Sequence, residues 1–228
     1  MTSLLIDADY IVYKSCAAAE YDIDYGSDVI VVGSKFSEAY ANTIKEIKRV
    51  QSGFFDAEVI LFFSDSINFR KRVDPAYKGH RNRKKPCGYK RVIHKLHDEY
   101  KVIIMPELEA DDSMGVYATS NDDCIICSPD KDMKQIPGQL YNMDEMFTIT
   151  KQDGWQWFLI QTLSGDQTDG YSGAPGFGIK TRNSVTDAFI KKGLTEEDAL
   201  KNARLAKILT ADDYDNGPIL WTPTNADN

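Results

Sequence analysis

Histidine and cysteine are scarce in this chain, three of one and four of the other among 228 residues. The cysteines, Cys16, Cys87, Cys124 and Cys127, are scattered, so no disulfide framework is expected. Cys124 and Cys127 have the spacing of half a zinc knuckle, but no second pair follows. They also lie in an apolar run that reads as a strand, where positions three apart face opposite sides. Buried structural thiols are the better reading, and zinc is disfavoured. No uncharged apolar run approaches the roughly 20 residues that cross a bilayer. The first residues carry no basic region, no long apolar core and no small-residue cleavage site. Internal repeats, low-complexity tracts and clear linkers are absent too. The expectation is a cytoplasmic protein that meets no membrane, built as a single domain over residues 1–228.

Charge is unevenly spread. The chain carries a net −8, yet residues 70–95 hold eleven Lys or Arg and a single acid, Asp74. A dense basic segment on an acidic body is the footprint of a polyanion-binding surface. A solvated loop is the bland alternative.

Four short runs rich in Val, Ile, Leu and Phe read as buried strands: Ser3–Ile6, Glu58–Phe63, Val102–Met105 and Asp123–Cys127. Helical spacing marks Tyr10–Glu20, Phe36–Gln51, Lys90–Tyr100 and Asp112–Ala118 between them. Strands alternating with helices predict an α/β fold with a mostly parallel central sheet covered on both faces. A short hairpin is expected through Tyr141–Thr150. Helices then dominate, at Gly154–Leu163, Ile179–Lys191 and Glu196–Leu209, before an extended tail.

Each strand candidate ends in carboxylates. The first gives Asp7 and Asp9, and the second Asp65. The third leads into Glu107, Glu109, Asp111 and Asp112, and the fourth into Asp130 and Asp132. Ligands of open parallel sheets bind beyond the carboxyl ends of the strands, so these acids should converge on one rim. Asp166 and Asp169 form a further pair in a Gly-rich loop. Acids crowded together raise one another's pKa unless cations intervene. Oxygen ligands suit Mg²⁺, and two such ions about 4 Å apart can activate a water and stabilise both oxygens of a phosphodiester displacement. Any one acid alone is better explained as a loop residue; four strand ends together are not. Asp9, Glu107 and Asp112 are the members most easily read as incidental or outer ligands.

These segments resemble the flap-endonuclease superfamily of 5′-nucleases and, within it, the 5′–3′ exonucleases of podovirus-type phages. Leu4-Leu5-Ile6-Asp7 and Phe62-Phe63-Ser64-Asp65 are similar to its first two metal-binding strands, although Asp9 stands where many members have glycine. Tyr77-Lys78-Gly79-His80-Arg81 resembles its Tyr-Lys-x-x-Arg segment. Glu109-Ala110-Asp111-Asp112 and Asp130-Lys131-Asp132 match its later acidic motifs. Gly165-Asp166-Gln167-Thr168-Asp169 and Pro175-Gly176-Phe177-Gly178-Ile179-Lys180-Thr181 match its helix–three-turn–helix.

The resemblance implies a Mg²⁺-dependent nuclease cutting DNA from 5′ ends or at 5′ flaps, in the host cytoplasm if phage-encoded. It implies an α/β metal-binding core at 1–150, a basic helical arch at 68–100 and a helical region at 151–210. The metal ligands implied are Asp7, Asp65, Glu109, Asp111, Asp112, Asp130, Asp132, Asp166 and Asp169, holding two Mg²⁺ for which Mn²⁺ could substitute. Lys78 and Arg81 would stabilise charge on the scissile phosphate. Arg70, Lys71, Tyr77, Arg83, Lys84 and Lys85 would line the DNA path, and Tyr13 would stack on a base. Gly176 and Gly178, with Lys180 and Thr181, would grip a duplex phosphate at a helix start, assisted by K⁺. RNA–DNA hybrids are a further implied substrate. The same loop is a near miss for a Walker A motif, because Ile179 separates Gly178 from Lys180, so no nucleotide cofactor is expected.

Two rivals remain. A haloacid-dehalogenase-type phosphatase would use Asp7-Ala8-Asp9 as its Asp-x-Asp motif, but leaves the basic segment and Asp130/Asp132 unexplained. A DNA-binding protein without catalysis leaves the acids unexplained.

Overall fold

The computed structural model describes residues 1–81, 84–174, 176 and 185–223. Five parallel strands form most of its central sheet: β1 (Ser3–Asp7), β4 (Glu58–Phe62), β5 (Lys101–Ile103), β6 (Cys124–Cys127) and β7 (Gly138–Tyr141). An antiparallel edge strand, β8 (Met146–Ile149), completes it. Their spatial order is β5-β4-β1-β6-β7-β8. The chain therefore runs from β1 outward to one edge and then crosses back to build the other half. The point of reversal lies between β1 and β6, where open sheets place their ligands.

The strands are apolar on both faces because helices cover both. Leu4, Ile6, Val59 and Leu61 pack under α1 (Ala8–Ala18), α2 (Phe36–Gln51) and α4 (Tyr89–Leu96). Leu5, Ile60, Phe62 and Ile126 pack under α5 (Ala110–Ser120) and the 3-10 turn Lys131–Gln135. Each such Leu, Ile or Phe, fully buried, contributes about 1.5–3 kcal/mol relative to exposure. The helical spacing of Phe36, Tyr40, Ile44 and Ile47 gives α2 with the predicted bounds. Gly115 in α5 has a steric reason: a Cβ there would lie 2.2 Å from the Leu209 carbonyl oxygen.

The helical region consists of α6 (Lys151–Ser164), α7 (Val185–Lys191) and α8 (Glu196–Ala206). Thr150 and Thr195 cap the first and last, each paired with an acid three residues on. Phe158, Ala203 and Ala206 bury Tyr77 and Trp221 in a shared cluster, which joins this region to the chain around residue 77.

Two features depart from the sequence reading. A helical arch over the basic segment 68–100 is not shown by the described residues. The segment holds one short helix, α3 (Arg70–Val73), then turns, then α4, whose Val92 and Leu96 are buried against the sheet-covering layer. An unforeseen hairpin also stands between α1 and α2, made by β2 (Glu20–Asp24) and β3 (Ile30–Ser34). It is exposed along most of its length, so it lacks the one-sided burial that makes a strand legible in sequence.

Candidate active site

A cavity of about 330 Å³ opens at the carboxyl ends of the sheet strands. Its walls include Asp7, Asp9, Glu109, Asp111, Asp130, Asp132 and Asp169, together with Ser64, Tyr77, Lys78, Arg81 and Lys85. The fold explains each placement. Asp7 ends β1 and caps α1, accepting from the Tyr10 amide at 3.3 Å. Glu109 and Asp111 begin α5. Asp130 follows β6 and caps the 3-10 turn, accepting from the Asp132 amide at 2.8 Å. Asp169 arrives from the loop after α6, whose tight fold needs Gly165 at φ 70°; a Cβ there would lie 2.4 Å from the Ser172 carbonyl carbon.

The acids divide into two electrostatic groups. In the first, negative charge is uncompensated. Burial, then the neighbouring Asp9 and Asp130, push the Asp7 carboxyl up to about 7. Burial, then Asp7 and Asp130, hold Asp111 well above the usual carboxylate range, and its Oδ1 is shut off from solvent with no hydrogen-bond partner. Asp132 is pushed up to about 7, by burial first and Asp130 next. Polar neighbours around these acids are few: the Ser128 hydroxyl donates to Asp7 at 3.3 Å, and the Gln161 amide donates to Asp132. Gln161 is itself held by Gln135, whose Nε2 also donates to the Ala206 carbonyl at 2.7 Å.

In the second group cations answer the acids. Glu109 is buried, which would raise it, yet Lys78 and Arg70 bring it down to about 2. The Lys78 ammonium lies 2.7 Å from Glu109 and 3.5 Å from Asp169. Burial pulls Lys78 down, but these two carboxylates raise it more. Arg81 donates to Asp169 at 2.7 Å and to the Thr168 carbonyl at 3.0 Å. Lys78 sits at φ 53°, a costly backbone for a residue with a Cβ, and its amide donates to the Asp169 carbonyl at 2.9 Å. Asp166 lies just outside the cavity wall, where Lys131 approaches it at 3.2 Å.

Four site expectations change. Arg70, expected on the DNA path, is 1% exposed and paired with Asp112, expected among the metal ligands and 0% exposed. Both are spent on each other. Tyr77 is 2% exposed, and its hydroxyl lies 3.0 Å from Glu109 and 2.9 Å from Asp169. With one proton, it donates to one of them at a time, so it orients acids and does not reach for DNA. Asp65 does not line the cavity. Its oxygens accept from the Ser66 amide at 2.6 Å and the Glu107 amide at 2.8 Å, and the Glu107 bond, first among these, lowers its pKa. Asp9 lines the cavity in its place, with Oδ2 accepting from the Ser64 amide at 2.8 Å and Oδ1 from the Tyr89 hydroxyl. Sequence reasoning gave Ser128, Gln161 and Tyr89 no role, because no local pattern marks a polar residue as the partner of an acid elsewhere in the chain.

Beside the cavity lies an open cleft of about 570 Å³ whose walls include Tyr13, His80, Arg81, Lys85 and Thr168. Tyr13 is half-buried there against the α1 and α2 layer. Lys71, Lys84 and Lys85 are exposed and Gly176 takes φ 83°. Arg83, Gly178, Lys180 and Thr181, with the K⁺ assigned near them, lie outside the described residues.

The donor set fits hard divalent cations: oxygens only, three carboxyls raised by burial and then by neighbouring acids, and an orphaned Asp111 Oδ1. Among the described residues no three His, Cys, Asp or Glu side chains are already closed into a metal cage.

Comparison with known proteins agrees with this picture. The family model for the 5′–3′ exonuclease N-terminal, resolvase-like domain matches residues 2–156. An exodeoxyribonuclease of Enterobacteria phage T3 is 30% identical, with 96% of this chain and 92% of that protein covered. An exonuclease of Escherichia phage T7 is also 30% identical, covering 96% and 93%. Among solved structures, a bacteriophage T5 flap endonuclease in a complex with DNA and metal ions shares the fold, with a TM-score of 0.62 at 13% identity, over 91% of this chain and 89% of that one. Nothing in these comparisons supports the phosphatase alternative.

Proposed function

The chain belongs to the 5′–3′ exonuclease family, and we propose that it hydrolyses DNA phosphodiesters from 5′ ends and at 5′ flaps with two Mg²⁺ ions. The observation that carries this reading is the trio Asp7, Asp111 and Asp132 in one cavity at the sheet's reversal point, each carboxyl raised first by burial and then by neighbouring carboxylates, Asp130 among them in every case.

Asp7, Asp111 and Glu109 would hold one ion, and Asp130 and Asp132 the other, with Asp166 and Asp169 orienting the second site. When bound, such ions lower the pKa of a water and stabilise the attacking and leaving oxygens of a phosphodiester. Mn²⁺ is expected to substitute, being another oxygen-loving divalent ion. The protein's own groups do the rest. Lys78, anchored between Glu109 and Asp169, presents a fixed, partly buried cation in the cavity wall, where a preorganised charge stabilises developing phosphate charge more than a freely moving one in water. Arg81 extends that charge to the rim. Tyr77 and Gln161 keep the acids oriented. Tyr13 stacks on an unpaired base in the neighbouring cleft, and exposed Lys71, Lys84 and Lys85 follow the strand's phosphates.

The whole chain is read as one working domain, with core residues 1–150 supplying the acids and residues 151–210 supplying the duplex grip and its K⁺ site. Among the described residues no helix is long and apolar enough to cross a membrane. We place its action in the cytoplasm of a phage's host. RNA–DNA hybrids are a further proposed substrate. A product time course on blunt and 5′-flapped duplexes labelled at either end tests the reading. Mg²⁺-dependent loss of the 5′ label supports it, and no strand loss in Mg²⁺ or Mn²⁺ overturns it.

A further inference from the structure

We propose that Asp9 and Tyr89 are positioning residues that seat the Lys85 ammonium on the rim of the carboxylate cavity as a contact for a DNA phosphate. The inference rests on the nuclease reading above and deepens it. Both Asp9 oxygens are engaged: Oδ2 accepts from the Ser64 amide just beyond β4, and Oδ1 accepts from the Tyr89 hydroxyl at the start of α4. Tyr89 is 6% exposed, so this relay is anchored in the core. Its outer end is Lys85. The Lys85 ammonium lies 3.3 Å from the Tyr89 hydroxyl as a donor, 4.4 Å from the centre of the same ring, and 3.9 Å from Asp9 Oδ1.

A lone exposed ion pair at that distance fixes little. Three contacts converging on one ammonium do more: they hold a long side chain that would otherwise lose its freedom when it grips a phosphate. The Lys85 side chain remains 57% exposed, so its charge is held but still open to a ligand. Among the described residues, Lys85 and Arg81 are also the two that line both the carboxylate cavity and the cleft containing Tyr13, which places them where a strand would pass from one to the other.

The test is equilibrium binding of a fluorescent 5′-flapped duplex in EDTA, from about 50 to 200 mM salt, where each phosphate contact accounts for a roughly 3.5-fold loss of affinity. Lys85→Gln should remove about one such contact from the salt slope. Tyr89→Phe and Asp9→Asn should flatten the slope in the same direction, and Lys85→Gln combined with Tyr89→Phe should do no more than Lys85→Gln alone. The thermal midpoint of each variant, taken in EDTA, checks that the fold is kept. A wild-type slope in both Tyr89→Phe and Asp9→Asn, or in Lys85→Gln, overturns the proposal, as does a double variant worse than Lys85→Gln. Failure of the wild-type chain to bind DNA at all would instead sink the nuclease reading itself.

Discussion

Arg70 and Asp112 meet inside the protein through two hydrogen bonds, of 2.6 and 2.8 Å, with neither side chain more than 1% exposed. The guanidinium also donates to the Leu205 carbonyl at 2.9 Å and the Lys207 carbonyl at 2.5 Å, at the end of α8. These are carbonyls that a helix end leaves without intrahelical partners. One buried cation thus ties the α5 terminus, the basic segment and the helical region together, and touches Glu109 at 3.4 Å. Arg70→Ala leaves Asp112 buried and unpaired, a loss of about 3–5 kcal/mol. Urea unfolding measures it, and an unmoved midpoint would show that the pair contributes nothing.

Asp111 carries strain that a metal would relieve. Asp111→Asn should raise the thermal midpoint in EDTA, because it removes a carboxylate held well above its ordinary pKa. The same variant should lose strand cleavage and most of the stabilisation that Mg²⁺ gives the wild-type chain. A variant less stable than wild type in EDTA would contradict this account of the site.

The pH dependence of stability follows from the same acids. Asp7 and Asp132 stand at about 7 in the folded state, against 3.8 for an ordinary aspartate, and Asp111 is also raised. Between about pH 4 and 7 the folded protein therefore binds more protons than the unfolded chain, and stability falls as pH rises through that window. Glu109, at about 2, acts the opposite way, but only below its ordinary 4.5. Thermal melts in EDTA should show a midpoint dropping between about pH 4 and 7. Millimolar Mg²⁺ should flatten the drop by replacing protons with a cation. A midpoint in EDTA that climbs with pH would refute it.

Asp130 is exposed and lines the cavity. Asp130→Asn should abolish cleavage while leaving flapped-duplex affinity nearly intact and the fold unchanged. Substantial residual turnover would remove Asp130 from the working acids.

The sheet, most of its helices and the acidic rim were legible in the sequence. Buried strands carry continuous apolar runs, helices repeat their apolar face, and a carboxylate just past the end of such a run comes out at the same rim of the sheet. Asp7, Glu109, Asp111, Asp130 and Asp132 are readable for that reason, whether or not one knows what they bind; Asp169, in a loop after a helix, is not. Which acids are spent internally was not legible. Asp112 and Asp111 are adjacent in sequence, yet one is neutralised by Arg70 and the other is left orphaned. Asp65 turns to backbone amides while Asp9 takes a place on the wall. The basic segment likewise read as uniform charge, although Arg70 is core, Lys78 is cavity wall and Lys84 is surface. Local periodicity records only whether a residue sits on an apolar face; which partner answers a charge depends on side chains from distant segments, and only the packed chain brings those together.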